Sequence, residues 1–132
     1  MFTKGFKDQD QRKLSEELGK ILQLEFVPDY WEQSQKQALN AQLIALTGIS
    51  ISDIIEISIL DFFAKIEEHS LSFENQELLG DILLKVLPLE KKTNKIPLAE
   101  KAIAIYEHAQ KESNMFSFGL ISKINMAKAY LP

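Results

Sequence analysis

Residues 98–113 read LAEKAIAIYEHAQKES, and this stretch decides the fold. Ala102, Tyr106 and Ala109 follow one another at spacings of four and three residues, so the three side chains lie on one face of a helix. Small side chains let a neighbouring helix approach closely, and an aromatic ring fills the space that remains. The stretch therefore predicts a buried helix that packs tightly against a second helix.

The composition indicates one compact domain. At 132 residues, with 45% apolar and 26% charged side chains, the chain can bury roughly 65–70% of its unfolded surface. Cysteine is absent, which excludes a disulfide framework, thiolate metal ligands and a cysteine nucleophile. A cytoplasmic location is the expectation that fits this cysteine usage.

No stretch has the pattern of a targeting or membrane segment. Residues 1–8 become charged at once and lack the apolar run of about 7–15 residues found in a signal peptide. The longest uncharged stretch, residues 37–52, is interrupted by Gly48 and falls short of the ~20 apolar residues that span a bilayer. The chain is therefore not expected to enter a membrane.

Charge is distributed unevenly along the chain. Within a net charge of −4, residues 51–82 carry −7 and residues 83–132 carry +4. An acidic middle followed by a basic end can be balanced within the fold, between subunits, or by a partner of mixed charge. Solvated helix faces are the simplest explanation of this pattern.

Outward from the deciding stretch, capping and turn signals predict about six helices. In the front half, one helix begins at Asp8 or Asp10, which can act as N-caps. A second helix lies between Pro28 and Gly48, a residue type that commonly follows the last turn of a helix. Together the two helices form a front helical hairpin, residues 8–47.

The third predicted helix, residues 53–68, occupies a central position. Ser52 is its expected N-cap, although the alternating isoleucines at its start also fit a β-strand. As a helix it would carry two apolar strips, the second of which contains Ile54, Ile57 and Leu60. Such a helix lies between neighbours in a bundle or contacts another chain.

The C-terminal half, residues 74–131, is predicted to contain a helix pair and a closing helix. Pro88 ends the fourth helix, because proline cannot continue a regular turn. Residues 90–95 then form a polar loop, and Pro97 opens the fifth helix, which ends at Asn114.

The closing helix, residues 117–130, is apolar on more than one side and has only two charges. A terminal helix of a helical array is normally polar on its outer side. Its spare apolar surface therefore either folds back into the core or is covered by a second subunit or a partner. The side chains that would make this contact are Phe116, Phe118, Leu120, Ile121 and Tyr130.

Other contact residues are hypothesised outside the closing helix. Tyr30 and Trp31 are adjacent, so their side chains point about 100° apart and cannot both face one core. Trp31 is a candidate interface anchor, since tryptophan often dominates interfaces, and burial of both rings is the alternative. The strip of Ile54, Ile57 and Leu60 is a second candidate contact.

No residue pattern predicts a reaction or a metal site. His69 and His108 are the only imidazoles, and neither belongs to an HExxH motif or to paired ExxH elements. The acids between residues 53 and 81 lack a calcium-loop pattern, the glycines form no phosphate-binding loop, and no serine lies in GxSxG or SxxK. We expect no catalysis, no cofactor and no bound metal.

One basic cluster suggests an alternative function. Lys91, Lys92 and Lys95 lie in the lysine-rich C-terminal third, which would serve a nucleic-acid-binding regulator if its charges shared one face. The single arginine and a pI near 5.2 argue against nucleic acid as a partner.

Four helical stretches carry a resemblance to a known family. They read RKLSEELGKILQL (12–24), YWEQSQKQALNAQLIALTGI (30–49), ENQELLGDILLKV (74–86) and AEKAIAIYEHAQ (99–110). Together they resemble a small family of bacterial all-helical proteins that has a tetratricopeptide-like C-terminal half and no assigned activity. The resemblance implies a fold and not an activity. Because Ala102 falls about ten residues later than the 34-residue tetratricopeptide period places it, the C-terminal half resembles one degenerate unit.

These observations together predict one all-α domain, residues 1–132. Its predicted function is non-catalytic protein interaction or scaffolding, through a protein partner or through self-association.

Overall fold

All regular secondary structure in the described part of the chain is helical, which confirms the all-α prediction. The computed structural model describes the backbone of residues 2–132 and the side chains of residues 9–132. The α-helices are α1 (Phe2–Leu22), α2 (Pro28–Tyr30), α3 (Lys36–Thr47), α4 (Ile51–Glu56), α5 (Ile59–Glu68), α6 (Phe73–Val86), α7 (Lys92–Ser113) and α8 (Phe118–Lys128). A π-helical turn (Trp31–Gln35) joins α2 to α3, and a 3-10 turn (Leu87–Leu89) follows α6.

Helix α1 begins earlier than its capping signals predict. The helix starts at Phe2, so Asp8 and Asp10 lie inside it and the prediction that either caps it is wrong. The side chain of Asp8 lies outside the described residues. No proline precedes Asp8, and Gly5 costs only about 1 kcal/mol relative to alanine in a helix, so nothing in this stretch ends the helix.

The second predicted helix is confirmed at both ends. Pro28 occupies the first turn of α2, and Gly48 follows α3 in the left-handed conformation at φ 76°. The π-helical turn between α2 and α3 places the indole of Trp31 fully inside the core. Gln35 then accepts a hydrogen bond from the amide of Val27 at 2.8 Å, which holds the incoming chain against this turn.

The predicted central helix is two helices. Ser50, not Ser52, is the N-cap of α4, and it forms a capping box with Asp53. The chain then leaves the helical conformation at Ile57. Ser58 caps α5, because its hydroxyl accepts a hydrogen bond from the backbone amide of Asp61 at 3.1 Å. The strand alternative is wrong, because the stretch between residues 51 and 68 is helical on both sides of this break.

The break also changes which side chains share a face. Ile54 in α4 is fully buried, whereas Leu60 in α5 is 82% exposed and Ile57 between them is half-buried. The prediction of one continuous second strip is therefore wrong, because the helical rotation restarts at Ser58.

Helices α6 and α7 form the central pair. The fourth predicted helix ends where expected, with Pro88 in the 3-10 turn. Helix α7 starts at Lys92, so the predicted polar loop is mostly helical and Pro97 lies inside the helix. The first turn is held by a local contact, in which Asn94 Nδ2 donates a hydrogen bond to the carboxylate of Glu90 at 2.9 Å. Asn114 ends α7 in the left-handed conformation, as predicted.

The predicted close approach of α7 to a second helix is confirmed. Ala102, Tyr106 and Ala109 are all buried, and α7 packs mainly against α6. A Cβ atom added to Gly80 of α6 would lie 2.7 Å from Cε1 of Tyr106. Helix α1 contacts α6, α4 contacts α7, and α8 crosses over both α6 and α7.

Candidate interaction surface

Helix α8 has one face in the core and one face in solvent. Leu120 and Ala127 are buried, which confirms that the closing helix folds back onto the core along this face. The opposite face exposes Phe118, Ser122 and Met126, each four residues from the next. The outer face therefore contains large apolar side chains at its ends and a small side chain at its centre.

Two more apolar side chains extend this face into the α7–α8 connection. Met115 and Phe116 are 70% and 67% exposed, and Phe118 and Met126 are 80% and 56% exposed. The rings of Phe116 and Phe118 contact each other edge to face, with centroids 4.8 Å apart. Met115, Phe116, Phe118 and Met126 are called the exposed patch below.

The backbone beneath the exposed patch is fixed by hydrogen bonds. The amide of Met115 donates to the hydroxyl of Ser113 at 3.3 Å, and Ser117 caps α8 by accepting the amide of Leu120 at 3.1 Å. Asn114 occupies the left-handed conformation that ends α7. The α7–α8 connection is therefore an ordered, hydrogen-bonded turn that holds its side chains at defined positions.

A polar cluster anchors α8 to the central pair. Lys123 Nζ lies 2.5 Å from Glu77 Oε2 and 3.0 Å from Asp81 Oδ1. The hydroxyl of the buried Tyr106 donates a hydrogen bond to Asp81 Oδ1 at 2.7 Å. The basic end of the sequence thus balances part of its acidic middle within the fold, at the junction of three helices.

The pKa values in this cluster follow from burial and pairing. Burial lowers the pKa of Lys123, but hydrogen bonds and charge attraction from Glu77 and Asp81 outweigh burial, so its pKa is raised. The pKa of Tyr106 is also raised, first by burial and then by its hydrogen bond to Asp81. Both groups therefore keep their protons at neutral pH, which preserves the anchor.

A second polar cluster lies at the other end of α7. The carboxylate of Glu90 is buried and accepts hydrogen bonds from Trp31 Nε1 at 2.7 Å, Lys36 Nζ at 3.0 Å and Asn94 Nδ2 at 2.9 Å. Burial raises the pKa of Glu90, but these donors outweigh it, so the pKa lies below its ordinary value. With three donors satisfied by one carboxylate, this cluster is structural.

The predicted contact residues are divided between surface and core. Phe116, Phe118 and Leu60 are exposed, and Ile121, Tyr130 and Ile57 are half-buried. Trp31, Ile54 and Leu120 are buried, so this fold leaves none of the three free for an external contact. Trp31 is held inside by its hydrogen bond to Glu90, a partner 59 residues away in sequence.

The sequence prediction missed two residues of the exposed patch. Met115 lies in the turn, which periodicity arguments leave out, and Met126 lies eight residues after Phe118 on the outer face. A helical projection of residues 118–128 would have placed Met126 near Phe118 if the buried face had been assigned to Leu120 and Ala127.

The two histidines lie in packing environments. His69 packs against Gly48, and the ring of His108 stacks on Phe63 with centroids 4.9 Å apart. His108 Nδ1 also lies 2.7 Å from Gln76 Oε1 and 3.4 Å from Glu112 Oε1. Among residues 9–132, no group of three or more histidine, aspartate or glutamate side chains is placed to hold a metal ion.

A shallow groove lies between α1 and α3. Its volume is about 250 Å³, below the roughly 300–1,000 Å³ typical of small-molecule sites. The lining residues are Glu17, Lys20, Ile21, Leu24, Gln42, Ala45 and Leu46. The lining contains no cluster of convergent polar groups that would orient a ligand.

The comparisons with known proteins add no relative. No protein-family model, curated protein or solved structure matches this chain. Within the described residues, no helix combines the length and the apolar character needed to cross a bilayer.

Proposed function

We propose that this protein is a non-catalytic interaction domain that binds another polypeptide through the exposed patch. The observation that carries the proposal is the outer face of α8 with its preceding turn. Four large apolar side chains are exposed there on a segment, residues 113–132, that contains no acidic residue. Phe116 and Phe118 are in contact, and exposed apolar clusters of this kind mark contact sites because their exposure to solvent is unfavourable.

The size of the patch supports a contact. At roughly 200 Å² for each fully exposed side chain, the four members expose about 550 Å². This summed value is comparable with the ~300–600 Å² of the largest apolar patch on a typical monomeric protein, a patch that is often functional. Methionine and phenylalanine are also enriched at interfaces, where they fill pockets of a partner.

The rigidity of the patch also supports a contact. The turn is held by Ser113 and Ser117, and α8 is anchored by Lys123. A surface held in place before binding loses less conformational entropy when a partner docks. Phe116 and Phe118 additionally hold each other in an edge-to-face pair.

The lysine-rich third gives less support to nucleic-acid binding. Lys101 is buried, Lys123 is paired with two carboxylates, and Lys85 donates to the carbonyl of Leu22 at 2.9 Å. Each of these lysines is withdrawn from the role of neutralising a phosphate. Only exposed members such as Lys91 and Lys92 keep that role open.

Photo-crosslinking in living cells tests the proposal. A benzoyl-phenylalanine replaces Phe118 in one variant and Tyr30 in another, because both are exposed aromatic residues. We expect discrete protein adducts from position 118 and only background from position 30. Adding Met126→Glu to the first variant should abolish those adducts, whereas the matched change Ile44→Glu, also on an exposed helical position, should leave them.

Adducts of equal intensity from positions 118 and 30 would show non-specific collision and would overturn the proposal. So would the absence of adducts from position 118 in cells that contain the folded variant.

A further inference from the structure

We infer that the partner of the exposed patch is a second copy of this chain, docked antiparallel through α8 about a two-fold axis at Ser122. This inference rests on the proposed function, because it names the occupant of the same surface. Three properties of the outer face of α8 lead to a second copy: its residue register, its charge and its area.

The outer face has a small side chain, Ser122, between two large apolar ones, and an antiparallel second copy can match this arrangement. In an antiparallel pair centred on Ser122, Phe118 of one copy lies opposite Met126 of the other, because the two positions are equally far from the centre. Gly119 lies opposite Asn125 in the same way. A Cβ atom added to Gly119 would meet only the hydroxyl of Ser117, at 3.6 Å, so this side of the helix is open. Small residues at the centre let two helices approach closely while the large residues pack at the ends.

The charge on this face permits self-pairing. Lys123 is neutralised within each chain by Glu77 and Asp81. Lys128 is the other charge of α8, and in the antiparallel pair the two copies of Lys128 lie at opposite ends, about 18 Å apart along the helix axis. That separation exceeds the ~8 Å Debye length at physiological ionic strength, so their repulsion is largely screened.

The area is sufficient for a weak symmetric interface. With its four members fully covered, the exposed patch contributes at most about 550 Å² from each copy, hence about 1,100 Å² in total, to which the smaller residues between its members add. A specific interface needs about 1,000 Å², and interfaces near this bound associate transiently. Self-association is therefore expected at high protein concentration and weak at low concentration.

Disulfide trapping tests the register, because the wild-type chain contains no cysteine. Ser122→Cys places the thiols of two copies beside the axis, within the 4.4–6.8 Å Cα separation that a disulfide spans. Phe118→Cys alone should not cross-link, since its two copies are about 12 Å apart along the helices. A mixture of Phe118→Cys and Met126→Cys should give a cross-linked heterodimer.

Ser34→Cys, at an exposed serine in the π-helical turn, is the control for random collision. Under mild oxidation, Ser122→Cys should form dimer roughly tenfold faster than Ser34→Cys, because association raises the local thiol concentration. Sedimentation of the wild-type chain should show a concentration-dependent dimer, which Met126→Glu abolishes and Ile44→Glu preserves.

Efficient cross-linking of Phe118→Cys with itself would overturn the antiparallel register. A strictly monomeric wild-type chain whose Ser122→Cys variant cross-links no faster than Ser34→Cys would overturn self-pairing altogether. If photo-adducts from position 118 then contain a different protein, the proposed function stands with another partner. If the monomer instead co-sediments with phosphatidylcholine vesicles and gives no protein adducts, both the inference and the proposed function are wrong.

Discussion

Tyr106 and Gly80 form a close contact between the two central helices. The ring of Tyr106 lies where a side chain on Gly80 would begin, and its hydroxyl is fixed by Asp81. The ring cannot swing away without breaking this hydrogen bond, so the missing side chain at position 80 sets the distance between α6 and α7. The small-and-aromatic pattern of residues 102–109 is thus matched by a glycine on the facing helix.

Gly80→Ala should destabilise the protein despite the better helix propensity of alanine. The new Cβ would lie 2.7 Å from Tyr106 Cε1, and the resulting overpacking outweighs the helical gain, for a net loss of about 1–2 kcal/mol in the free energy of unfolding. Urea denaturation followed by circular dichroism measures this difference.

Gly19→Ala is the control, because a Cβ atom there meets nothing within 4 Å. In the middle of α1 it should stabilise the protein by up to about 1 kcal/mol. Equal stability changes at the two glycines would contradict the close-contact explanation.

At the scale of helices, local signals predicted several boundaries and failed at the starts of α1, α4 and α7. Pro28, Gly48 and Asn114 each have a backbone restriction that acts alone, so their positions were predicted correctly. Around residue 50, three serines are potential caps. Ser50-x-x-Asp53 is a local capping-box pattern that the prediction passed over, whereas the burial of Ile51, which supports the same start, is not evident from the local sequence.

The exposed patch was only partly predictable for a related reason. The apolar excess of the closing helix is evident from composition, but its rotation is not. Lys123 fixes that rotation by binding Glu77 and Asp81, which turns Leu120 inward and leaves Phe118 outward. The acids that anchor α8 lie more than 40 residues before Lys123, beyond the reach of any local pattern.

Lys123→Met should loosen α8 from the central pair. It removes both ion pairs and leaves Asp81 bonded to Tyr106, so we expect a loss of about 1–3 kcal/mol and faster amide hydrogen exchange within residues 118–128. The raised pKa of Lys123 means that its stabilisation is complete below its ordinary value of 10.5 and is lost as pH rises through the higher folded-state value.

Lys128→Met, at an exposed position on the same helix, is the matched control and should leave the exchange pattern unchanged. Exchange in α8 that is equally fast in both variants would show that Lys123 does not anchor this helix.

At the scale of the whole molecule, Glu90 joins the front and back halves of the chain. Its buried carboxylate accepts hydrogen bonds from Trp31 and Lys36 in the front half and from Asn94 in the back half. This contact also accounts for the burial of Trp31, one of the two alternatives left open by the sequence, and contributes to the early start of α7, which the sequence prediction placed at Pro97. The choice between burial and exposure of Trp31 does not follow from local residues, because the carboxylate and the indole are 59 positions apart.

The same contact predicts how stability depends on pH. The pKa of Glu90 is lower when the protein is folded than its ordinary value of 4.5, so its contribution is complete above 4.5 and is lost as pH falls through the folded-state value. Glu90→Gln should remove about 1–3 kcal/mol at neutral pH, since the charge that Lys36 and Trp31 bind is gone. Below the folded-state pKa, the wild-type chain and the variant should converge in stability.

Trp31 is the only tryptophan, so its fluorescence during urea unfolding measures both stabilities at each pH. Glu32→Gln is the control, because Glu32 also faces Lys36, at 3.8 Å, but is exposed to solvent. Its loss should cost well under 1 kcal/mol at any pH, as for other exposed ion pairs. If Glu90→Gln kept the acid sensitivity of the wild-type chain, protonation of Glu90 would not be the event that separates the two halves, and their junction would depend on apolar packing around Trp31 alone.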